Sequence, residues 1–536
     1  MQGGIPLNRI LSLLLSAALL LGCFAGCAAE DTPYIPTGNA LAAEDADVDA
    51  TLPDENTEPQ VLSLAYYPER SLNPYLCSDY TNRVLLSLMY QGLFAVNRSY
   101  EAVPILCDTY RASESLKTYT FYLAADAKFS DGSKVTVEDV VASYTAAKEN
   151  GYYSGRFTHV REVTPSDDGG VTFSLSAALE DLPLLLDFPI VKAAQVAEDH
   201  PLGTGPYIFE DGLTGAQLRR NHAWWCSTTA AGLVVTAESI PLVAVESAIN
   251  IRDEFEFADV ELVLADPCAD TYADFRCDYE LWDCDSDIML FLGCNVAYSQ
   301  EDVFEDETFR SKLTYAIDRE ALVEDYYRNF AMATSIPVSP RSPHYSASLS
   351  AKYDYDPVQL INVVHSMPDT EEPLRLLVNR DDSLRLRAAR AIAEMLGECG
   401  LEVQLKERST REFNADIYNG SYDLYLGTTK LSANMDLSPF FKPYGNIARN
   451  GTSNALLYDL CLDALENSGN YYPLHKAVAE DGRIIPILFC SYAVYATRGL
   501  LTDLQPARDN VFYYTLGRTD SDALIPIDYN AENSVG

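Results

Sequence analysis

Histidine is scarce in this chain of 536 residues: there are six, at positions 159, 200, 222, 344, 365 and 475. His159, His200, His222, His344, His365 and His475 are scattered without metal-ligand spacing, so each reads as an exposed or packed imidazole rather than a ligand. The sequence also lacks G-x-S-x-G, H-E-x-x-H, G-x-x-x-x-G-K and C-x-x-C-H, the short signatures of common hydrolases, metalloproteases, phosphate loops and haem attachment. Basic residues are few, 38 Lys and Arg against 79 Asp and Glu, for a formal charge of −41. Such a surface repels nucleic-acid phosphates and anionic lipid, attracts cationic solutes and favours solubility. No apolar run beyond Leu21 approaches the ~20 residues of a membrane helix. Cys268, Cys277, Cys284 and Cys294 cluster, but not in the C-x2-C pairs of zinc sites.

What is present bounds the rest. Hydrophobic residues make up 48% and charged residues 22%, enough for a substantial core. At roughly 100–200 residues per domain, the length implies about three domains or two large lobes. Arg9 precedes the apolar run from Ile10 to Leu21, which has signal-peptide length. The run ends in LGCFAGCAAE, where small residues beside a cysteine resemble a lipoprotein processing site. Cys27, preceded by Ala25-Gly26, is the expected lipidated residue, and Cys23 is the competing frame. Residues 1–27 are thus expected to be a signal peptide. Residues 28–60 are acidic, without Lys or Arg, and read as a disordered spacer between a membrane anchor and the folded chain. Ten cysteines follow Cys27, and an exported protein is expected to hold them as some disulfides plus some buried thiols.

The folded region is expected from Val61. VLSLAYYP reads as a strand, and Asp79 to Phe94 shows helical spacing. KFSDGSKVTVEDVVASY, Lys128 to Tyr144, carries adjacent carboxylates that raise the question of acid-base or metal chemistry. Asp131-Gly132 is a turn signal, and Thr136 stands where an N-cap belongs, with Asp139 three residues on. Glu138 and Asp139 then fall in a first helical turn, where negative charge suits the helix dipole. Helix punctuation therefore accounts for both. REVTPSDDGGVTFSLS predicts a hairpin, and Asp306 to Tyr327 a helix pair or one kinked helix. PLRLLVN, a long helix ending at Gly400, and LEVQLKE form a strand–helix–strand series. SYDLYLGTT and IIPILFCSYAVYA read as further strands, so the fold class is α/β with a largely parallel sheet.

Taken in order, several segments resemble the family 5 extracellular solute-binding proteins of ABC transporters, a family that includes oligopeptide-, dipeptide- and nickel-binding members. They are Ser71-Leu72-Asn73-Pro74, YQGLF at Tyr90 to Phe94, YTFYLAADAKFSDGSKVTVEDVVASY from Tyr119, GTGPYIFE at Gly203 to Glu210, Asn221 with Trp224-Trp225, DETFRSKLTYAIDRE at Asp306 to Glu320, and GSYDLYLG at Gly420 to Gly427. The resemblance implies a class II periplasmic-binding-protein-like fold: two α/β lobes joined by hinge strands, plus an extra domain. Mapped here, lobe I would comprise 61–95, 201–288 and 492–536, the extra domain 96–200, and lobe II 289–491. The glycines of GTGPY are expected to permit tight turns rather than to cradle phosphate.

The resemblance further implies a small solute, an oligopeptide above all, held between the lobes and passed to ABC permease subunits by a monomer tethered outside the membrane. No catalysis and no cofactor are expected. In peptide-binding members an acidic residue in a Trp-rich segment meets the peptide amino terminus. Here that segment is LGTTKLSANMDLSPFFKPYG, which lacks both the tryptophan and the Asp-Pro pattern. Asp436 is its carboxylate and the candidate amine anchor, with Asn434 beside it; a helix-start role is the alternative. Tyr66, Tyr67, Asn73, Tyr75 and Tyr90 are the first-lobe candidates for an aromatic-walled cavity. Tyr66 and Tyr67 are neighbours on a strand, so at most one faces the cleft. A metal or metallophore binder, and a sensor or adhesin on the same fold, are the competing readings.

Overall fold

A computed structural model describes residues 62–514 and 527–528, apart from 214, 227–234, 270–274, 298, 300–301, 368–371, 444–446, 448–450, 502–503 and 509. Cys23, Cys27, the signal run and the acidic spacer lie outside the described residues. Among the described residues no helix is long and apolar enough to cross a membrane.

Local signals translate directly into elements. The helix Val137–Glu149 starts with Thr136 and Asp139 in a reciprocal capping box, the Asp139 carboxylate accepting the Thr136 amide at 2.8 Å. The other Asp139 oxygen accepts the Ala193 amide at 2.7 Å, so this carboxylate is consumed by structure. Gly132 has φ +80°, as the turn before that helix requires. Val160–Pro165 and Val171–Leu175 pair antiparallel as the expected hairpin. Gly400, at φ +93°, follows the helix Ser383–Glu398. Asp306 to Tyr327 forms two short helices, Glu307–Leu313 and Arg319–Asp325, separated by a 3-10 turn.

An eleven-stranded mixed sheet organises the chain. At one end Leu64–Tyr66 lies parallel to Ser239–Ala244 and Leu262–Ala265. At the other, Leu374–Asn379 lies parallel to Val403–Arg408 and Leu424–Lys430. Two long antiparallel strands, Tyr279–Cys294 and Ile484–Thr497, join the ends. Their register shifts between Asp285 and Ile288, opposite Ser491 and Cys490, so the crossing carries a bulge. The positions expected as lobe boundaries, 288/289 and 491/492, fall at this crossing, inside strands rather than in loops.

A separate sheet of Cys107–Ala112, Thr118–Leu123, Val171–Leu175 and Val160–Pro165 forms the body of the segment 96–200. Ile527–Asp528 adds to it, parallel to Cys107–Ala112, so this C-terminal piece joins the inserted sheet rather than the first lobe. Gly203 and Gly205 do not have positive φ. A Cβ at Gly203 would stand 2.1 Å from the Met89 carbonyl, and one at Gly205 2.4 Å from that of Leu88. Close packing against the helix Tyr80–Met89, not turn geometry, requires glycine there. The expectation of disulfides is corrected: none of the ten described cysteines is bridged to another, and seven are buried. They fill core space as small apolar groups.

Candidate functional site

In open α/β sheets, ligands bind outside the carboxyl ends of parallel strands. Both ends of the large sheet send those strand ends toward the crossing. From the first lobe, Leu262–Ala265 leads to Asp266, whose carboxyl is raised by burial and by the charge of Asp382. Asp382 follows Leu374–Asn379 in the second lobe and caps the helix Ser383–Glu398. Arg385 stands on its first turn, 2.9 Å from both Asp382 and the Thr428 hydroxyl, and its buried Nε has no hydrogen-bond partner among the described residues. Lys430 closes Leu424–Lys430; its ammonium donates to the Ser286 carbonyl at 2.9 Å and lies 5.1 Å from the Tyr152 ring centroid. The Tyr80 ring lies tilted against that of Tyr492 of the crossing strand, centroids 4.9 Å apart, and Tyr80 is 40% exposed. Cations, carboxylates and aromatic faces from both lobes therefore converge on the crossing.

The sequence candidates fall into two groups. Tyr66 and Tyr67 point to opposite faces: Tyr66 packs near Phe209, ring centroids 6.3 Å apart, while Tyr67 enters the core with Ile251 and Phe255 and carries Arg70 at 4.0 Å over its ring. Asn73 has no exposed surface and donates to the Val196 and Glu198 carbonyls at 2.9 and 2.7 Å. The Tyr75 hydroxyl donates to the Pro189 carbonyl, and burial raises it well above its ordinary range. Tyr90 donates to the Pro201 carbonyl at 3.0 Å while lining a cavity of about 140 Å³. Asn73 and Tyr75 thus fasten the first lobe to the inserted domain, while Tyr66, Tyr67 and the Tyr90 hydroxyl meet residues of the first lobe itself.

Asn434 and Asp436 form the second group. Asn434 accepts the Ser432 hydroxyl at 2.7 Å, and its carbonyl accepts the Tyr471 hydroxyl. Asp436 is 8% exposed. It accepts the Ser438 amide at 2.8 Å and the Ser438 hydroxyl at 3.1 Å, and lies 3.2 Å from His159 Nε2 of the inserted domain. That geometry starts the short helix Ser438–Phe441 and places Asp436 at a seam between inserted domain and second lobe. No contact joins the two groups among the described residues.

Sequence reading missed the charged cluster at the crossing. Asp283, Asp285 and Asp287 alternate on Tyr279–Cys294. Arg98 and Arg341 meet Asp283, Arg341 lies 2.9 Å from Asp285, and Arg508 and the Tyr100 hydroxyl meet Asp287. Arg508 also pairs with Asp187 at 3.4 Å, and Asp187 with Arg156 at 2.8 Å. The Asp285–Arg341 contact is a close ion pair without hydrogen-bond alignment, since Asp285 Oδ1 and Arg341 Nε count as unpartnered. Burial pushes Asp285 up to about 6 despite Arg341. Tyr100, Asp287 and Arg508 all have left-handed backbones, φ 60°, 55° and 40°. Such conformations cost about 1–3 kcal/mol each and persist where surroundings over-determine them. The one available signal was the Asp-Cys-Asp-Ser-Asp run; its arginine partners lie far away in sequence.

Comparison with known proteins agrees with this architecture. Residues 101–451 match the family model for bacterial extracellular solute-binding proteins, family 5 Middle. Two curated relatives are glutathione-binding proteins GsiB: that of Shigella flexneri serotype 5b is 22% identical over 304 residues, covering 54% of this chain and 58% of that protein. The GsiB of Salmonella typhi is 23% identical over 322 residues, covering 54% and 57%. The chain thus spans a little over half the length of the curated relatives it matches. Among solved structures, the ABC transporter substrate-binding protein CtaP of Listeria monocytogenes has TM-score 0.68 at 18% identity, over 85% of this chain and 99% of that one. The oligopeptide-binding protein AppA of Bacillus subtilis, in complex with a nonapeptide, has TM-score 0.59 at 18% identity, over 86% and 100%. At these identities the structures show the shared two-lobed fold. The chain belongs to the bacterial extracellular solute-binding proteins of family 5.

Proposed function

We propose that this protein is the solute receptor of an ABC importer, and that its solute is a short peptide or peptide-like molecule. One observation carries the reading: two lobes whose parallel strands end toward a crossing of only two strands, Tyr279–Cys294 and Ile484–Thr497. Two strands with a bulge can bend as a hinge, and ligand contacts on both lobes then favour closure. Family membership and the nonapeptide held by a protein of the same fold support peptide as the solute class. The protein performs no chemistry; it binds as a monomer and presents the solute to membrane permeases. Lipidation at Cys27, or in the alternative frame at Cys23, tethers it to the outer face of the cell membrane, with residues 28–60 as spacer. Tyr90 is the first-lobe candidate with the best claim to a solute-accessible wall, since it lines a cavity. Asp436 fastens the seam where second lobe and inserted domain meet, through His159, rather than contacting the solute.

Native mass spectrometry of the protein purified without unfolding tests the reading. A ladder of adducts that fragments into short peptides is the expected result. A single metal chelate would move the solute to the class seen in the NikZ of Campylobacter jejuni, a protein of the same fold solved with Ni(L-His). An empty protein that no peptide, chelate or sugar stabilises against heat would favour a sensor or adhesin.

A further inference from the structure

The inserted domain is bound to the first lobe through buried side chains. Asn73 donates to its Val196 and Glu198 carbonyls and Tyr75 to its Pro189 carbonyl, and Asn150 returns a bond to the Tyr75 carbonyl at 2.6 Å. When the two-strand crossing bends, the inserted domain therefore travels with the first lobe. Any contact between the inserted domain and the second lobe must then break for the lobes to part. The seam already met at His159 is such a contact, and it extends well beyond that residue.

Its centre is the segment 180–184. The Glu180 amide donates to the Leu465 carbonyl at 2.8 Å, and the Glu180 carboxylate accepts the Ser468 amide at 2.6 Å. Leu465 stands in the last turn of the helix Ala455–Glu466, where carbonyls have no partner within the helix. Ser468 opens the 3-10 turn Ser468–Asn470, where amides lack one. A single residue of the inserted domain thus satisfies the end of one second-lobe helix and the start of the next turn.

Apolar burial across the seam is reciprocal. Leu184 of the inserted domain, 6% exposed, belongs to a core cluster built mostly from second-lobe side chains, Tyr471 and Leu474 among them. Leu465 of the second lobe, 4% exposed, belongs to the cluster of the first lobe and inserted domain. Separation would return both leucines to water. Two polar contacts flank them. His159 Nε2 lies 3.0 Å from the Ser438 hydroxyl, and Asp181 lies 3.9 Å from His344, whose ring stacks on Tyr471 with centroids 3.9 Å apart.

We propose that this seam is a clasp: the segment 180–184, with Leu465 and Ser468, holds the second lobe against the inserted domain without solute, so the free protein rests mainly closed and opens transiently to load. The inference rests on the crossing acting as a hinge and not on the identity of the solute. A clasp of this kind supplies part of the bias toward closure, which leaves less for solute contacts to supply.

Hydrogen exchange and small-angle X-ray scattering on the protein, shown free of solute by native mass spectrometry, test it. The amide of residue 180 reports opening, because its acceptor lies on the second lobe, and it should be protected in the unaltered protein. Glu180→Ala keeps that amide and removes only the acceptor for Ser468. Glu180 is exposed, so the variant should fold. The amide of residue 180 should then exchange at least about tenfold faster relative to its intrinsic rate, and the radius of gyration should rise. Leu465→Ala loosens the seam from the second lobe and should have the same two effects. An unprotected amide in the unaltered protein would mean that the seam is open at rest; this overturns the clasp and leaves the hinge standing. Unchanged exchange in both variants would overturn it equally. Faster exchange with an unchanged radius in both variants would overturn clasp and hinge together, since the contact would fray without any lobe moving. The solute class is decided separately, by the adducts seen in native mass spectrometry.

Discussion

Asn73 shows how a residue that looks like a ligand contact becomes a fastener. Its amide donates to two carbonyls of the inserted domain, its Oδ1 accepts the Tyr75 amide at 2.8 Å, and it has no exposed surface. Asn73→Ala should lower stability by about 1–3 kcal/mol, because it leaves buried backbone groups unpaired. Calorimetric melting would read this, and an unchanged Tm with lost solute binding would return Asn73 to the site. Asp436 is a parallel case. Both its oxygens are engaged, so Asp436→Asn should cost about 1 kcal/mol of stability and leave solute affinity within about twofold. A large loss of affinity with unchanged melting would make it the amine anchor after all. The segment Leu426 to Gly445 offered both roles for Asp436, and sequence could not choose: the deciding contact, His159, stands 277 positions earlier, as the numbering shows. Arg508 was illegible for the same reason, since an arginine in isolation does not reveal which carboxylates it will meet.

Elements were more legible, because their signals are local. The capping box of Thr136 and Asp139, the hairpin around Gly169 and the glycine after Ser383–Glu398 all use residues within a few positions of one another. Thr136→Ala should therefore cost about 1 kcal/mol, measurable as a lower Tm, and Asp139→Ala more, since Asp139 also holds the Ala193 amide. The sixteen-residue strand Tyr279–Cys294 was not legible at all. It carries Glu280, Asp283, Asp285 and Asp287, and aspartate is depleted in strands. Arginines from three distant segments neutralise this row, so its β conformation is a tertiary result. GTGPY was legible as a landmark but not in cause. Gly203→Ala should be among the most damaging small substitutions, because the added methyl meets backbone at 2.1 Å that cannot swing aside.

At the scale of the molecule, charge and buried ionisable groups set the pH response. Asp285 and Asp181 are pushed up to about 6, mainly by burial. A carboxyl whose folded pKa exceeds its unfolded one binds more protons in the native state between the two values. Stability from these groups therefore falls as pH rises from about 4 through 6. His475 works the other way. It has no exposed surface, lacks a hydrogen-bond partner among the described residues, and burial lowers it to about 3. Its unfolded state binds the extra proton, so its contribution falls as pH drops from about 6.5 toward 3. Above about pH 6.5 the net charge of −41 continues to act, and self-repulsion penalises the compact state. The expected profile is a maximum in Tm on the acidic side of neutrality, with added salt raising Tm more at pH 8 than at the maximum, since salt screens repulsion between exposed charges. Asp285→Asn should flatten the slope between about pH 4 and 6 while leaving the salt response at pH 8 intact. If the slope is unchanged, Asp285 is ionised throughout that range, and the aspartate row of the crossing strand is held by three full ion pairs rather than by two and a neutral Asp285 carboxyl.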